Sequence, residues 1–173
     1  LSQAELSTSA MSLSLSSSPL GTLKKQLSYL QQYPYGCSEQ TTSVLLSNII
    51  LKKYLETTHI HLENVTTEKL EQNITAAFER LYNYQSDNGG WSLWGGEDYV
   101  DSYLTTYVLS ALVQAEENGF GVDVNVVKKG RDYLMKELSQ GKISDPEGKA
   151  FALTVLKKLG AQSIPTYADT LYK

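Results

Sequence analysis

The chain is poor in several residue types: one cysteine, two histidines, four prolines, three phenylalanines and two methionines among 173 residues. A single thiol excludes an intrachain disulfide framework and leaves the redox compartment unread. His59 and His61 stand one residue apart with no cysteine or third histidine near them, which argues against a metal centre. Positive charge is not in excess. Fifteen Lys and Arg face nineteen Asp and Glu, a formal charge of −4, so a nucleic-acid partner, which needs a clustered basic face, is not expected. No apolar run approaches the length that spans a bilayer, and no direct membrane contact is expected of this segment. The chain opens on Leu1 with neither an initiator methionine nor a signal peptide, so it is expected to be a piece of a longer protein. Its composition, 41% hydrophobic and 20% charged, suits one globular domain with a real core.

The lone cysteine stands in the most informative stretch. Residues 33–43 read YPYGCSEQTTS, with Cys37 three positions before Gln40. A thiol and a carboxamide at i and i+3 of a tight turn can meet. The sulfur can attack the amide carbon, expel ammonia and leave an internal thioester. Gly36 permits the turn where a Cβ would clash. Tyr33 and Tyr35 offer flat apolar faces to keep water from the acyl carbon. Glu39 orients the turn or starts a helix, where a carboxylate is favourable. A lone cysteine is by default an inert buried residue. Here the surrounding residues favour the reactive reading.

YPYGCSEQTTS resembles the thioester motif of the α2-macroglobulin/complement superfamily, and is nearer in wording to the bacterial form than to the vertebrate one. LSLSSSPL (residues 13–20) resembles the family's lead-in to this domain. DNGGW (residues 87–91) and LTTYVL (residues 104–109) resemble its glycine–aromatic loop and following helix. The resemblance implies a Cys37–Gln40 cross-link supported by Tyr33, Tyr35, Gly36 and Glu39, with no cofactor. It implies a single-use covalent inhibitor of proteases rather than a turnover enzyme. Target proteases would be captured through lysine amines, and a neighbouring β-domain of the same parent chain would shield the bond. It also implies an extracytoplasmic setting: periplasm or envelope in a bacterium, secretion in a eukaryote. Complement proteins use a downstream histidine to pass the acyl group to hydroxyls. Residues 139–151, SQGKISDPEGKAF, hold none, which points to direct reaction with amines.

The rest of the chain reads as helices. Residues 1–18 are Ser-rich with alternating Met11, Leu13 and Leu15, an expected extended arm, and the domain proper is expected over 19–173. Ser18-Pro19 starts a helix that Pro34 ends. The next begins within residues 39–42 and carries Val44, Leu45, Ile49, Ile50, Leu51 and Leu55, a set wide enough for a mostly buried helix. A third starts at Thr66 or Thr67 with Leu70, Ile74, Ala77, Phe78 and Leu81. Further starts are read at Asp123 and at Asp145-Pro146, with closing signals at Asn118-Gly119 and Gly160, and a last helix begins near residues 163–165. Segments 42–54, 103–115 and 149–159 are apolar, and each is followed by a turn and a more polar helix. That alternation predicts an all-α toroid of helical hairpins. The family toroid has about six pairs and this chain has room for about three, so about half a toroid is expected.

Other sites carry less. A cysteine hydrolase would need His59 or His61 against Cys37. A terpenoid cyclase would share the toroid but needs an acidic cluster or zinc ligands that are missing. A thioester-inactive scaffold would keep the fold alone. Trp91 and Trp94 are expected to wedge between helix ends. Asp87, Glu97, Asp98 and Asp101 do not fit a calcium-loop spacing. Asn64 and Asn73 match the glycosylation pattern at a rate near chance.

Overall fold

A computed structural model of the chain describes residues 36–59, 62, 65–96 and 99–161. The expected arm, the helix beginning at Pro19, the last helix and the side chains of Tyr33, Tyr35, His61, Asn64, Glu97 and Asp98 lie outside the described residues.

Five helices make up the described fold: α1 Ser38–Thr58, α2 Thr67–Tyr84, α3 Ser102–Glu117, α4 Val124–Ser139 and α5 Pro146–Lys158. Each of α2 to α5 starts on a side-chain acceptor that satisfies an otherwise orphaned first-turn N–H. Thr66 accepts from Lys69, Asp101 from Leu104, Asp123 from Asn125 and Asp145 from Gly148. Pro146 follows its cap at the first helical position, where its missing N–H costs nothing. Gly119 and Gly160 take positive φ just beyond the caps of α3 and α5, a conformation that glycine adopts without strain.

Inner and outer helices differ in how much of their circumference is covered. On α3, Leu104, Thr105, Thr106, Val108, Leu109, Ala111, Leu112, Val113 and Ala115 are all buried. On α2 burial is confined to Leu70, Ile74, Ala77, Phe78 and Leu81, a single stripe at helical spacing. Helix α3 packs against α1 on one side and α5 on the other, while α2 packs on α1 and α4 on α3. The inner helices are therefore the three apolar segments read from the sequence, and the fold is all-helical, as in an α/α toroid. Among the described residues no helix is long and apolar enough to cross a membrane.

Three local expectations need correction. Helix α1 starts at Ser38, one residue before the expected window, because Cys37 itself is the N-cap. Ile50 is 65% exposed, so its helix buries Leu45, Ile49 and Leu51 but not its whole apolar set. The two tryptophans part company. Trp91 is fully buried and donates Nε1–H to the Leu81 carbonyl at 2.7 Å, whereas Trp94 is 68% exposed.

Candidate functional site

Cys37 is buried at the N-terminus of α1 as a free thiol, and Gln40 is the third residue of that helix, exposed at the surface. The Gln40 side chain folds back so that its Oε1 accepts from the Cys37 backbone N–H at 3.2 Å. The Cys37 side chain faces the Gln40 N–H on the reciprocal side, in the position a Ser or Thr takes in a capping box. An ordinary helix-start motif thus brings a thiol and a carboxamide to one corner of the turn.

Gly36 lies buried behind that corner. A Cβ there would stand 3.0 Å from Gln40 Cβ and 3.4 Å from both the Thr41 N and its Oγ1, so the stem of Gln40 passes directly over the glycine. Its φ is not positive. The reason for glycine is the close approach rather than a left-handed turn. Thr41 Oγ1–H donates to the Gly36 carbonyl at 3.3 Å, and Thr42 Oγ1–H to the Ser38 carbonyl at 2.6 Å. Both threonines are buried, which ties the TTS part of the motif to the rigidity of the turn.

The glycine–aromatic loop, residues 85–101, supplies the second support. Ser38 N–H donates to the Leu93 carbonyl at 2.7 Å, and Ser38 Oγ–H to the Ser92 carbonyl at 2.6 Å. The loop is itself anchored. Trp91 N–H donates to Thr105 Oγ1 at 2.9 Å, and Gln85 Nε2 bridges the Gly89 and Val126 carbonyls at 2.9 Å each. Gly89 has φ +95, and a Cβ there would stand 2.3 Å from the Lys129 carbonyl oxygen, so α4 packs directly on the loop backbone. Gly130 faces Trp91 in the same way, at 2.8 Å for an added Cβ. Ser38, Ser92 and Thr105 were not singled out from the sequence. Serines and threonines that satisfy backbone groups across 54 and 14 residues leave no local signal.

Beside the turn, Glu39 lines a cleft of about 430 Å³ with Leu93, Tyr99, Asp101, Tyr103 and Tyr107. Glu39 is exposed in the first turn of α1. Tyr107 Oη and Ser43 Oγ are hydrogen-bonded at 3.0 Å, which holds this wall of the cleft to α1.

The remaining candidates do not touch the Cys37–Gln40 pair. His59 is the C-terminal cap of the 21-residue α1, in left-handed backbone, and the length of that helix sets it about 30 Å from Cys37. It cannot activate the thiol. Asp101 is committed to capping α3. Asn73 donates Nδ2–H to the buried Asn48 at 3.1 Å, so its amide is engaged within the helix pair. Among the described residues, no group of three or more His, Cys, Asp or Glu could hold a metal ion.

Comparison with known proteins identifies the family and the fold. The model of the A-macroglobulin TED domain matches residues 6–150. The alpha-2-macroglobulin of Escherichia coli strain K12 is 33% identical over 159 residues, which cover 92% of this chain and 8% of that protein. The crystal structure of Salmonella alpha-2-macroglobulin reacted with methylamine superposes with a TM-score of 0.66 at 27% identity, over 80% of this chain and 10% of that one. The Escherichia coli protein activated by porcine elastase gives 0.64 at 28% identity, over 74% and 12%. The chain thus spans less than an eighth of the length of these relatives. With the family model matching residues 6–150 and the fold in agreement, this chain belongs to the A-macroglobulin TED domain family.

Proposed function

We propose that this chain is the thioester domain of a broad-spectrum protease inhibitor, in which Cys37 and Gln40 form an internal thioester that captures attacking proteases once. The observation that carries the reading is the hydrogen bond from the Cys37 N–H to Gln40 Oε1, 3.2 Å. That donor polarises the carboxamide and stabilises the oxygen when sulfur attacks the carbon. Sulfur bonds to the Gln40 acyl carbon, the C–N bond breaks, and nitrogen leaves as ammonia with the thiol proton. The product is an acyl group activated in advance.

Discharge runs that exchange in the opposite direction, with nitrogen entering and sulfur leaving. A lysine amine on the target attacks the acyl carbon, an amide forms, and Cys37 leaves as the thiol, taking up the proton that the amine nitrogen gives up. The target stays tethered. Each domain acts once, so the protein is a trap rather than an enzyme. Its partners are target proteases and other domains of the same parent protein, among them a β-domain over the turn that Tyr33 and Tyr35 would help to keep dry. An extracytoplasmic location follows from this role. That a Salmonella relative has been obtained reacted with methylamine, and an Escherichia coli relative activated by elastase, supports both the amine chemistry and the protease trigger.

Thiol titration of the full-length protein tests the proposal. The Cys37 thiol should be unreactive in freshly isolated protein and appear, one per domain, on treatment with methylamine or a protease. A thiol that reacts from the outset, with no change on adding amine, would leave a helical scaffold instead.

A further inference from the structure

We propose that Glu39 is a specificity-determining residue, which together with the tyrosine-walled cleft beside the turn favours amines over anionic nucleophiles at the acyl carbon. This rests on the thioester reading above. The cleft of about 430 Å³ opens on the residue next to Gln40, and among the described residues that line it none is Lys, Arg or His. The charged groups among them are the carboxylates of Glu39 and Asp101, and the walls include Tyr99, Tyr103 and Tyr107. Tyr99 and Tyr103 are 95% and 64% exposed, and Tyr103 rests tilted on Phe151 with ring centroids 5.7 Å apart, so both rings keep a surface open to an incoming chain. An alkylammonium suits such a slot: its methylene stem lies along the rings and its cation meets both ring faces and carboxylate.

Geometry ties the slot to the reacting pair. Glu39 immediately precedes Gln40 in the first turn of α1. Leu93, on the cleft wall, accepts the Ser38 N–H, and Ser43 links the Glu39 carbonyl to Tyr107 on the opposite wall. The walls are therefore fixed relative to the turn.

Charge decides which nucleophile benefits. An ammonium first loses one proton to water. The nitrogen lone pair then attacks the acyl carbon, and in the tetrahedral adduct nitrogen is positive. A nearby carboxylate stabilises that charge. The C–S bond breaks with its electron pair going to sulfur, and the nitrogen proton passes to it, so thioester plus amine gives amide plus thiol. Hydroxide arrives negative and is repelled by the same carboxylate. Glu39 therefore speeds capture by lysine and slows wasteful hydrolysis.

The test compares full-length wild type with Glu39→Gln, Glu39→Asp and Asp101→Asn, the last keeping a good N-cap residue while removing charge. Mass spectrometry first establishes the thioester in each. Methylamine incorporation and hydrolysis at mildly alkaline pH are then timed separately. Glu39→Gln should lower aminolysis roughly three- to fivefold, the scale of one exposed charge, and raise hydrolysis, while Glu39→Asp restores most of the ratio. Asp101→Asn should act in the same direction more weakly. If Glu39→Gln moves both rates together, or neither, the role is structural and the inference fails although the thioester stands. If wild type holds no thioester, both readings fall.

Discussion

Ser38 donates its hydroxyl to the Ser92 carbonyl at 2.6 Å, joining the first residue of α1 to a loop 54 positions away, and both residues are buried. The bond pins the Cys37 turn to the Trp91 loop, which is pinned in turn to α2 and α4. Replacing Ser38 with alanine leaves a buried carbonyl without this donor, at a cost of about 1–3 kcal/mol. The backbone bond to Leu93 remains, so Ser38→Ala should fold. Its thioester should hydrolyse several times faster than wild type in amine-free buffer, read as the rate at which the thiol appears.

Trp91 is the largest fully buried side chain, and its ring fills the space that Gly130 leaves open. Trp91→Ala should lower the unfolding free energy by about 3–5 kcal/mol, measured by urea denaturation. Trp91→Phe should cost less, because it keeps most of the packing and loses the bond to the Leu81 carbonyl.

Gly36→Ala tests the close approach over the turn. A methyl 3.0 Å from Gln40 Cβ pushes the stem of that residue aside. The variant should retain the fold, with a circular-dichroism spectrum like wild type. The fraction of molecules that complete the thioester should drop well below that of wild type, as read by mass.

Tyr82 and Tyr133 both have pKa values raised above 10.0, chiefly because burial disfavours the phenolate. A pKa raised on folding gives stability that is full below the unfolded value and lost as pH rises through the folded one. The urea midpoint should therefore hold to about pH 9 and fall above pH 10. The double variant Tyr82→Phe, Tyr133→Phe should flatten that fall.

Most of the helical frame was legible because its signals are local. Asp123 and Asp145 cap where they stand, and the stripe of α2 needs only helical spacing. The placing of Cys37 and Gln40 on one turn was legible for the same reason: a capping residue and the third residue of its helix lie side by side. What carries no local mark is the scaffold that holds the turn. Ser38 on Ser92, Gln85 on Val126 and Gly89 under Lys129 are distant contacts made by common residues. The two tryptophans show the same limit, since WSLW offers two rings and only tertiary packing chooses Trp91 for the core. Ile50 matches the apolar pattern of α1 and yet stays exposed, because residue type alone does not fix which face a neighbour covers.

The most direct test of the thioester is the intact mass of the freshly isolated full-length protein. An internal thioester gives a mass one ammonia below that of the unmodified sequence, gaining one methylamine on treatment, with the adduct on Gln40 and a free thiol on Cys37. A mass equal to the unmodified sequence, unchanged by methylamine and with Cys37 free throughout, would contradict it.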